Sequence, residues 1–236
     1  IVNFIAIKED VTELKRAEES IRESLLEKEA LIRELYHRTK NNMTIISSYL
    51  QLQATYSKNE EFSKMVKDSI ARIRAMSLVH EKLYDSKNLS RINMIEYITE
   101  LVNQIASYYN IQNKVVKYNY SIEDISLSID TAIPVGMVIN EIVVNSFKYA
   151  FNNKDSCEIR ISMTKSKDNT IFLTIADNGI GLAEGFDAQR SNTLGIPTLY
   201  SIVEMQLRGK ISYENKDGLS YSVSFKDILY KKRLNS

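Results

Sequence analysis

The first half of this chain lacks the residues that interrupt helices. Of its 236 residues, the first 133 contain neither glycine nor proline, and all seven glycines and both prolines lie at or after Pro134. A stretch of that length without breakers favours long helices. The second half, with its glycines and β-rich runs, predicts a different kind of structure, and we expect the boundary near residues 90–112.

Other absences exclude whole classes of protein. The single cysteine, Cys157, excludes an internal disulfide framework and fits a reducing compartment. A net charge of +1 carries no polyanion signature, so nucleic acid is not an expected partner. The longest apolar runs are far too short to span a bilayer. Hydrophobic content of 44% and charged content of 26% are ordinary for one large or two modest globular domains.

The start of the chain predicts a fragment of a longer protein, because Ile1 is not a methionine and no signal-peptide pattern follows it. Partial alternation over residues 1–8 predicts a strand, and Asp10 and Thr12 offer capping side chains for a helix after it. We expect a cytoplasmic location, with any membrane contact made only through segments upstream of the fragment.

Two helices joined by a polar turn are predicted next. From Glu13 the chain is charged, and its apolar residues approximate the a and d positions of a coiled coil: Leu14, Ala17, Ile21, Leu25, Leu31 or Ile32, and Leu35. This stripe favours a parallel coiled-coil dimer of modest stability, with a solvated single helix as the alternative. Polar residues 55–61 predict the turn, and the apolar spacing from Phe62 to Leu83 predicts the second helix. Two such hairpins in a homodimer form a four-helix bundle.

Mixed strands and helices are predicted in the second half, after a linking helix over residues 92–109. Strands are expected at residues 115–120, 126–129, 158–164, 170–176, 210–214 and 219–225, and helices at residues 134–149 and 195–208. This pattern favours an α+β sandwich. Pro134 suits the first turn of its helix.

His37 is the candidate nucleophile. A free imidazole, with a pKa near 6.5, is largely neutral at pH 7 and can attack an electrophilic phosphorus through one ring nitrogen. Lys40 and Asn41 follow at three and four residues on the same helix face, where they can meet phosphate charge and orient the ring. Glu34, three residues earlier on that face, is a candidate base.

Two neighbours of this motif need separate interpretations. Arg38 projects about 100° away from His37 on a helix and suits a phosphate or a partner acid. His80 is the other histidine of the chain, but its spacing from Met76 and Leu83 places it on the apolar stripe of the second helix. We therefore expect His80 to pack inside the bundle.

Polar residues on the long helix of the second half predict a metal and phosphate site. Asn145 supplies an amide oxygen of the kind that Mg²⁺ accepts beside waters and substrate phosphates. Glu141 lies one turn earlier on the same face, as a metal-site residue or as the base, so the base stays open between Glu141 and Glu34. Lys148 can reach a phosphate, and Tyr149 can cover a nucleotide.

A turn with the spacing Asp-x-Gly-x-Gly follows the strand at residues 170–176. Asp177 at a strand end can accept the amino proton of adenine. Gly179 and Gly181 let the backbone turn tightly and approach the base. As a bare spacing this turn is weak evidence, since Asp-Gly turns are common in hairpins.

A second candidate phosphate-binding segment opens the last predicted helix. It consists of Thr193, Leu194 and Gly195. Exposed amides at a helix N-terminus suit phosphate binding. Residues 182–192 are then expected to form a short lid.

The order of these parts resembles sensor histidine kinases of two-component systems. The acceptor run His-Arg-x-x-Asn-Asn from His37 is similar to the HWE-related subfamily. The string Asn-Glu-x-x-x-Asn-x-x-Lys-Tyr over residues 140–149 resembles the N box of these kinases, and the Asp-x-Gly-x-Gly turn resembles their G1 box. Many members place an acid directly after the acceptor, whereas Arg38 stands there, and Ser191 and Thr193 stand where lid glycines are commoner.

The resemblance implies a fold and a division of the chain. Residues 1–12 would be the last strand and exit of an upstream PAS-like sensor, and residues 13–33 a coiled-coil signalling linker. Residues 34–111 would be the dimerisation and histidine phosphotransfer helices. Residues 112–236 would be a catalytic ATP-binding domain of the gyrase, Hsp90 and MutL type. The fold class is a dimeric four-helix bundle of helical hairpins followed by an α/β sandwich.

The resemblance also implies an activity. With ATP and Mg²⁺ as cofactors, the protein would phosphorylate His37 and then an aspartate on a response regulator receiver domain. Two other functions use the same ATP-binding fold: a nucleotide-gated ATPase in which Glu141 activates water, and a non-catalytic dimeric signalling scaffold. An accessible His37 disfavours the first. The intact set of Asn145, Asp177 and Gly179 disfavours the second.

Overall fold

The structure is a computed structural model that describes residues 10–85, 90–109, 115–151, 156–182 and 195–227. The strand predicted at residues 1–8 lies outside the described residues. None of the described helices combines the length and the hydropathy needed to cross a membrane.

An antiparallel helical hairpin opens the described chain. Helix α1 runs over Thr12–Tyr56 and helix α2 over Glu60–Asp85. The turn between them is shorter than the predicted one, because only residues 57–59 are non-helical, and Asn59 Oδ1 accepts the Phe62 amide proton at 3.0 Å at the start of α2. The distal end of the hairpin has a small core of its own, made by Leu50, Ala54, Val66 and Ile70.

A row of large apolar side chains on α1 stays exposed in the single chain. It runs almost the whole length of the helix: Leu14, Ile21, Leu25, Leu26, Leu31, Ile32, Leu35, Ile45, Ile46, Tyr49 and Leu52. These side chains are exposed because α2 covers only one side of α1, and they leave a long apolar surface on the hairpin.

The second half is a sheet covered by helices. Five strands are hydrogen-bonded in the order β2-β4-β5-β7-β6, where β2 is Val116–Ile122, β4 is Cys157–Lys165, β5 is Thr170–Asp177, β6 is Lys210–Asn215 and β7 is Leu219–Lys226. The β2–β4 pair is parallel and the other pairs are antiparallel. Buried and exposed residues alternate along β4 and β7, so one face of the sheet packs against the helices.

Three helices and a two-stranded ribbon complete this sandwich. Helix α3 is Met94–Tyr108, helix α4 is Ile129–Asn145, and helix α5 is Gly195–Ser201. The ribbon pairs β1 (Arg91–Asn93) antiparallel with β3 (Ser126–Ser128). The predicted class, a helical hairpin followed by an α/β sandwich, is therefore confirmed.

Two predicted helix starts differ from the structure. Helix α3 begins at Met94 instead of residue 92, because Asn93 Oδ1 caps it by accepting the Ile95 and Glu96 amide protons at 2.9 and 3.2 Å. Helix α4 begins at Ile129, five residues before Pro134. Pro134 therefore lies inside the helix, where it has no N–H to donate.

The start of α4 is tied to the end of the last strand by one carboxylate. Asp227 accepts the hydroxyl protons of Ser128 and Thr131 at 2.6 and 2.7 Å, and Arg91 donates to it at 2.9 Å. Burial acts to raise the pKa of Asp227, but the two hydroxyl hydrogen bonds and the Arg91 charge outweigh it and hold that pKa below its ordinary value.

Helix α2 contributes residues to both apolar cores, that of the hairpin and that of the sandwich. Its residues Ala75, Leu78, Val79 and Leu83 are buried in the same apolar cluster as helices α3 and α4 and the sheet. Tyr97 of α3 crosses this contact and donates its hydroxyl proton to the Ala75 carbonyl at 3.1 Å. A Cβ at Gly136 would stand 1.7 Å from the Tyr97 hydroxyl oxygen, so only glycine fits there.

Asp227→Asn should lower the free energy of unfolding by about 1–3 kcal/mol at pH 7, because an ionised acceptor of two hydroxyl protons becomes a partly mismatched amide. Denaturant unfolding measures this change. Since the folded-state pKa is depressed, the contribution of Asp227 is present above the ordinary value of 3.8 and is lost as the pH falls through the folded-state pKa.

The difference between the two proteins should therefore shrink below about pH 4. The exposed carboxylate of Asp124 gives the matched control Asp124→Asn, for which we expect no loss at pH 7. Equal stability of Asp227→Asn and the parent chain at pH 7 would contradict the anchoring role of Asp227.

Candidate nucleotide and phosphoryl-transfer site

His37 lies exposed on α1 beside two side chains that can hold its ring. Its ring centroid lies 5.7 Å from that of Tyr84 on α2, and its Nδ1 lies 3.4 Å from Asn41 Nδ2. A half-turn of the Asn41 amide presents Oδ1 to the ring instead, and Oδ1 accepts a proton from Nδ1–H. Asn41 can therefore hold the tautomer that keeps a lone pair on Nε2.

The charged residues around His37 pair with one another. Arg38 donates from Nε and Nη2 to Glu34 Oε1 at 2.9 and 2.6 Å. Lys40 Nζ donates to Glu81 Oε1 of α2 at 2.7 Å. Such surface pairs stabilise a protein by at most about 1 kcal/mol, so both exchange partners at little cost when a phosphate arrives.

His80 lies between the helices of the hairpin. Its ring centroid lies 5.8 Å from that of Tyr36, and its Nδ1 is buried without a hydrogen-bond partner among the described residues. Burial lowers the pKa of the His80 imidazole below its ordinary value. The His80 ring is half-buried with its Nδ1 covered, whereas His37 is exposed, so the geometry favours His37 as the acceptor.

The last turns of α4 bring two candidate ligands to the start of α5. A Cβ placed on Gly195 would stand 3.4 Å from Glu141 Oε2 and 3.8 Å from Asn145 Nδ2. After Asn145 the helix widens into a π-helical turn, Ser146–Ala150, a feature frequent at functional sites. Thr193 and Leu194, predicted beside Gly195, lie outside the described residues.

This arrangement fits Mg²⁺ bound together with a nucleotide. The described ranges contain no group of three or more His, Cys, Asp and Glu side chains placed to hold a metal ion. Mg²⁺ does not require one, since it usually binds through one or two protein oxygens, waters and substrate phosphates. Glu141 and Asn145 supply two such oxygens from one face of α4.

Asp177 lies buried at the end of β5 in a network of hydrogen bonds. Its Oδ1 accepts the amide protons of Gly179 and Leu219 at 2.8 and 3.3 Å, and its Oδ2 accepts the hydroxyl proton of Ser146 at 2.8 Å. A carboxylate offers about four acceptor positions, so Asp177 keeps one for a further donor. The network fixes the carboxylate in the orientation needed to select that donor.

The glycines after Asp177 are required by close packing. A Cβ on Gly179 would stand 2.3 Å from Ala150 Cβ, and a Cβ on Gly181 would stand 2.2 Å from Asn215 Oδ1. Gly181 also has a φ of 69°. The Asn215 side chain accepts the Leu182 amide proton and donates to the Leu182 carbonyl, both at 2.9 Å, and so holds the end of the turn.

Helix α2 of the hairpin contacts this site directly. Arg72 donates from Nε and Nη2 to the two carboxylate oxygens of Glu141 at 2.6 and 3.1 Å. Lys148 Nζ donates to Asp68 Oδ1. The hydrogen bond to Glu141 raises the pKa of the Arg72 guanidinium above its ordinary value. Two residues of the predicted nucleotide site are thus ion-paired with the hairpin.

Four residues of the site were missed in the sequence: Asp68, Arg72, Ser146 and Asn215. None of the four carried a usable signal in the sequence, because the partner of each side chain in the site is at least 31 residues away along the chain. Tyr149, predicted to cover the nucleotide, lies exposed in the π-helical turn after α4.

Two family comparisons match the two halves of the chain. Residues 34–109 match the family described as "Histidine kinase", and residues 130–228 match "Histidine kinase-, DNA gyrase B-, and HSP90-like ATPase". The chain belongs to the sensor histidine kinases. The resemblance predicted from its motifs is therefore confirmed, and ATP binding follows from the family of the second half.

Relatives with established names agree with this assignment. The kinase is 30% identical over 208 residues to "Sensor histidine kinase PdtaS" of Mycobacterium tuberculosis, a match covering 86% of this chain and 39% of that protein. It is 21% identical over 175 residues to "Blue-light-activated histidine kinase 2" of Erythrobacter litoralis, covering 72% and 49%. The chain thus spans about two-fifths of the length of its mycobacterial relative.

The fold agrees with a solved structure as well. The histidine kinase domain from the blue-light-activated histidine kinase EL346 of Erythrobacter litoralis superposes with a TM-score of 0.63 at 15% identity. The superposition covers 87% of this chain and 97% of that domain. At this identity the likeness shows the fold, in which a helical region precedes an ATP-binding sandwich.

Asp177→Asn should weaken ATP binding roughly 5- to 150-fold, because a buried acceptor turned partly into a donor costs about 1–3 kcal/mol when it faces the adenine amino group. GTP has no amino group at that ring position, so its weaker binding should change less. Calorimetric titration of both nucleotides measures the two effects, with Asp124→Asn as the control. Unchanged ATP affinity would show that Asp177 does not contact the base.

Proposed function

We propose that this kinase transfers the γ-phosphoryl group of Mg-ATP to His37 and passes it on to an aspartate of a response regulator receiver domain. The observation that carries the proposal is the exposed His37 with Asn41 at its Nδ1, on the hairpin that also carries the ATP-binding sandwich. An exposed imidazole held in one tautomer is what a phosphoacceptor needs.

The proposed transfer is a displacement at phosphorus. The His37 Nε2 lone pair forms the new N–P bond, the bond from the γ-phosphorus to the β,γ-bridging oxygen breaks, and ADP leaves with that electron pair. Asn41 Oδ1 orients the ring by accepting the hydrogen bond of Nδ1–H, and a carboxylate, Glu141 or Glu34, takes this proton as the N–P bond forms. Lys40 can leave Glu81 and neutralise phosphate charge near the ring, because surface pairs are weak. Catalysis is mostly positioning and charge neutralisation, as in other phosphoryl transfers.

The nucleotide site is assigned to the sandwich. Asp177 would accept the adenine amino proton, with Gly179 and Gly181 giving the backbone its close approach. Asn145 and Glu141 would hold Mg²⁺, which supplies charge neutralisation at the phosphates when bound. The remaining contacts are assigned to Lys148, Tyr149, Thr193, Leu194 and Gly195.

A homodimer is the assembly that the hairpin supports. Exposed apolar side chains on a protein surface are usually scattered singly, whereas those of α1 form a continuous row along the helix. A second α1 packed in parallel would cover this row. Two hairpins joined in this way make a four-helix bundle. The receiver domain would dock on that bundle near His37, in the cytoplasm.

His37→Gln should abolish phosphorylation from γ-labelled Mg-ATP and leave ATP affinity within about threefold, because the nucleophile is not part of the nucleotide pocket. His80→Gln is the matched control and should keep the label, with some loss of hairpin stability. Histidine-linked phosphate is acid-labile and base-stable, so hydrolysis of the labelled protein identifies the linkage. Label lost with His80→Gln and kept with His37→Gln would reverse the assignment.

The same assay separates the kinase from its alternatives. Release of labelled phosphate with an unlabelled protein would indicate an ATPase. Absence of nucleotide binding would indicate a scaffold without catalysis.

Glu141→Gln should keep Mg-ATP binding nearly intact, because Asn145, waters and the phosphates still hold the metal. It should lower the rate of His37 phosphorylation roughly 10²- to 10⁴-fold, the usual size of a general-base effect. Glu34→Gln should change the rate little, because Glu34 is paired with Arg38. Single-turnover labelling with both variants tests the assignment. The reverse result would place the base on α1, and two fully active variants would mean that His37 needs no carboxylate base.

A further inference from the structure

Two ion pairs join the hairpin to the candidate nucleotide site. Arg72 pairs with Glu141 at 2.6 Å, where the Glu141 side chain is 8% exposed. Asp68 pairs with Lys148, one helical turn away on α2. Asp68 precedes Arg72 on α2, whereas its partner Lys148 follows Glu141 along the chain. The two paired segments therefore run antiparallel.

An aromatic contact reinforces this surface. The Tyr109 ring stacks on Phe147 with centroids 6.2 Å apart, and Lys148 Nζ lies 5.7 Å from the Tyr109 centroid. The Tyr109 hydroxyl also donates to Asp68 Oδ1 at 3.5 Å. Lys148 is therefore held between a carboxylate and an aromatic face, and its side chain is only 17% exposed.

In this arrangement the site lies far from the acceptor. The His37 ring lies beside Tyr84, whereas Glu141 lies beside Arg72, twelve residues earlier on α2. At a rise of 1.5 Å per residue, the two levels are about 18 Å apart along the hairpin. A nucleotide bound at Glu141 and Asn145 could not place its phosphorus within bonding reach of His37.

A second copy does not remove this separation. Two hairpins packed in parallel, as proposed above, place both copies of His37 at the same height along the bundle. The docked nucleotide site then lies about 18 Å, measured along the bundle axis, from the His37 of either copy. Phosphorylation in cis or in trans requires the sandwich to leave its contact with Asp68 and Arg72.

We propose that Asp68 and Arg72 form a latch that competes with Mg-ATP for Lys148 and Glu141 and holds the ATP-binding sandwich in a docked state that cannot phosphorylate His37. This inference rests on the proposed function, because it gives Lys148 and Glu141 to the nucleotide and His37 to the phosphoryl group. It makes α2 a regulatory surface as well as a structural one.

Linkage gives the latch a measurable consequence. If Mg-ATP and the latch use the same two side chains, each weakens the other by the same factor. Removing the latch therefore tightens nucleotide binding and raises the population of undocked sandwich. Both changes come from residues of α2 that have no part in the proposed nucleotide pocket.

The test uses Arg72→Gln, Asp68→Asn and the double variant of the whole chain. Mg-AMPPNP affinity by calorimetry should tighten roughly 5- to 10-fold for each single variant and more for the double variant, at the lower end of typical coupling between two sites. The rate of His37 labelling from Mg-ATP should rise by a similar factor. Lys67→Gln removes an exposed charge from the neighbouring position of α2 and should change neither quantity.

The two readouts separate the latch from the kinase assignment. Tighter nucleotide binding without labelling of any variant would support the latch and overturn the proposed transfer to His37. Normal labelling with unchanged or weaker nucleotide binding in both single variants would overturn the latch and leave the kinase standing. A fall in labelling rate with Arg72→Gln alone would overturn it too, since Arg72 would then orient Glu141 for catalysis.

Discussion

The rest of the structure depends on the double packing of α2. One side of this helix meets α1 and forms the hairpin, while Ala75, Leu78, Val79 and Leu83 enter the core of the sandwich. Apolar burial of this kind is the main favourable term in folding, so the hairpin and the sandwich are stabilised together. The proposed acceptor and the proposed nucleotide site therefore lie at two levels of one packed unit, and the residues of a single helix set the distance between them.

The proposed nucleotide site is built by elements that rigidify one another. The π-helical turn after Asn145 places Ser146 against Asp177, and Asn215 of β6 holds the turn that Gly179 and Gly181 make possible. Each contact joins a different pair of elements. A side chain there is fixed by packing and hydrogen bonds before any ligand arrives, which is the preorganisation that binding and catalysis exploit.

How much of this was predictable differs from residue to residue. The hairpin was predictable from the absence of glycine and proline together with the apolar spacing and the polar turn at residues 55–61, because all three are local properties. Local spacing also placed His37 on an exposed face and Glu141 and Asn145 on one face of α4. The same local rule misplaced the start of α4, since the tie from Asp227 to Ser128 and Thr131 spans about a hundred residues. The contacts of Arg72 and Asp68 were invisible for the same reason, because a charged pair on a helix surface has no sequence signature that names its partner.

The unbroken length of α1 has a mechanical consequence. From Thr12 to His37 the helix runs for about 38 Å without a glycine or a proline. It therefore lacks the residues at which helices most often kink. Successive residues of an α-helix are rotated by about 100° around its axis. The number of residues between Thr12 and His37 therefore sets the side of the helix on which His37 lies. A rotation applied at the first turn of α1 would therefore also turn the face of the helix that carries His37.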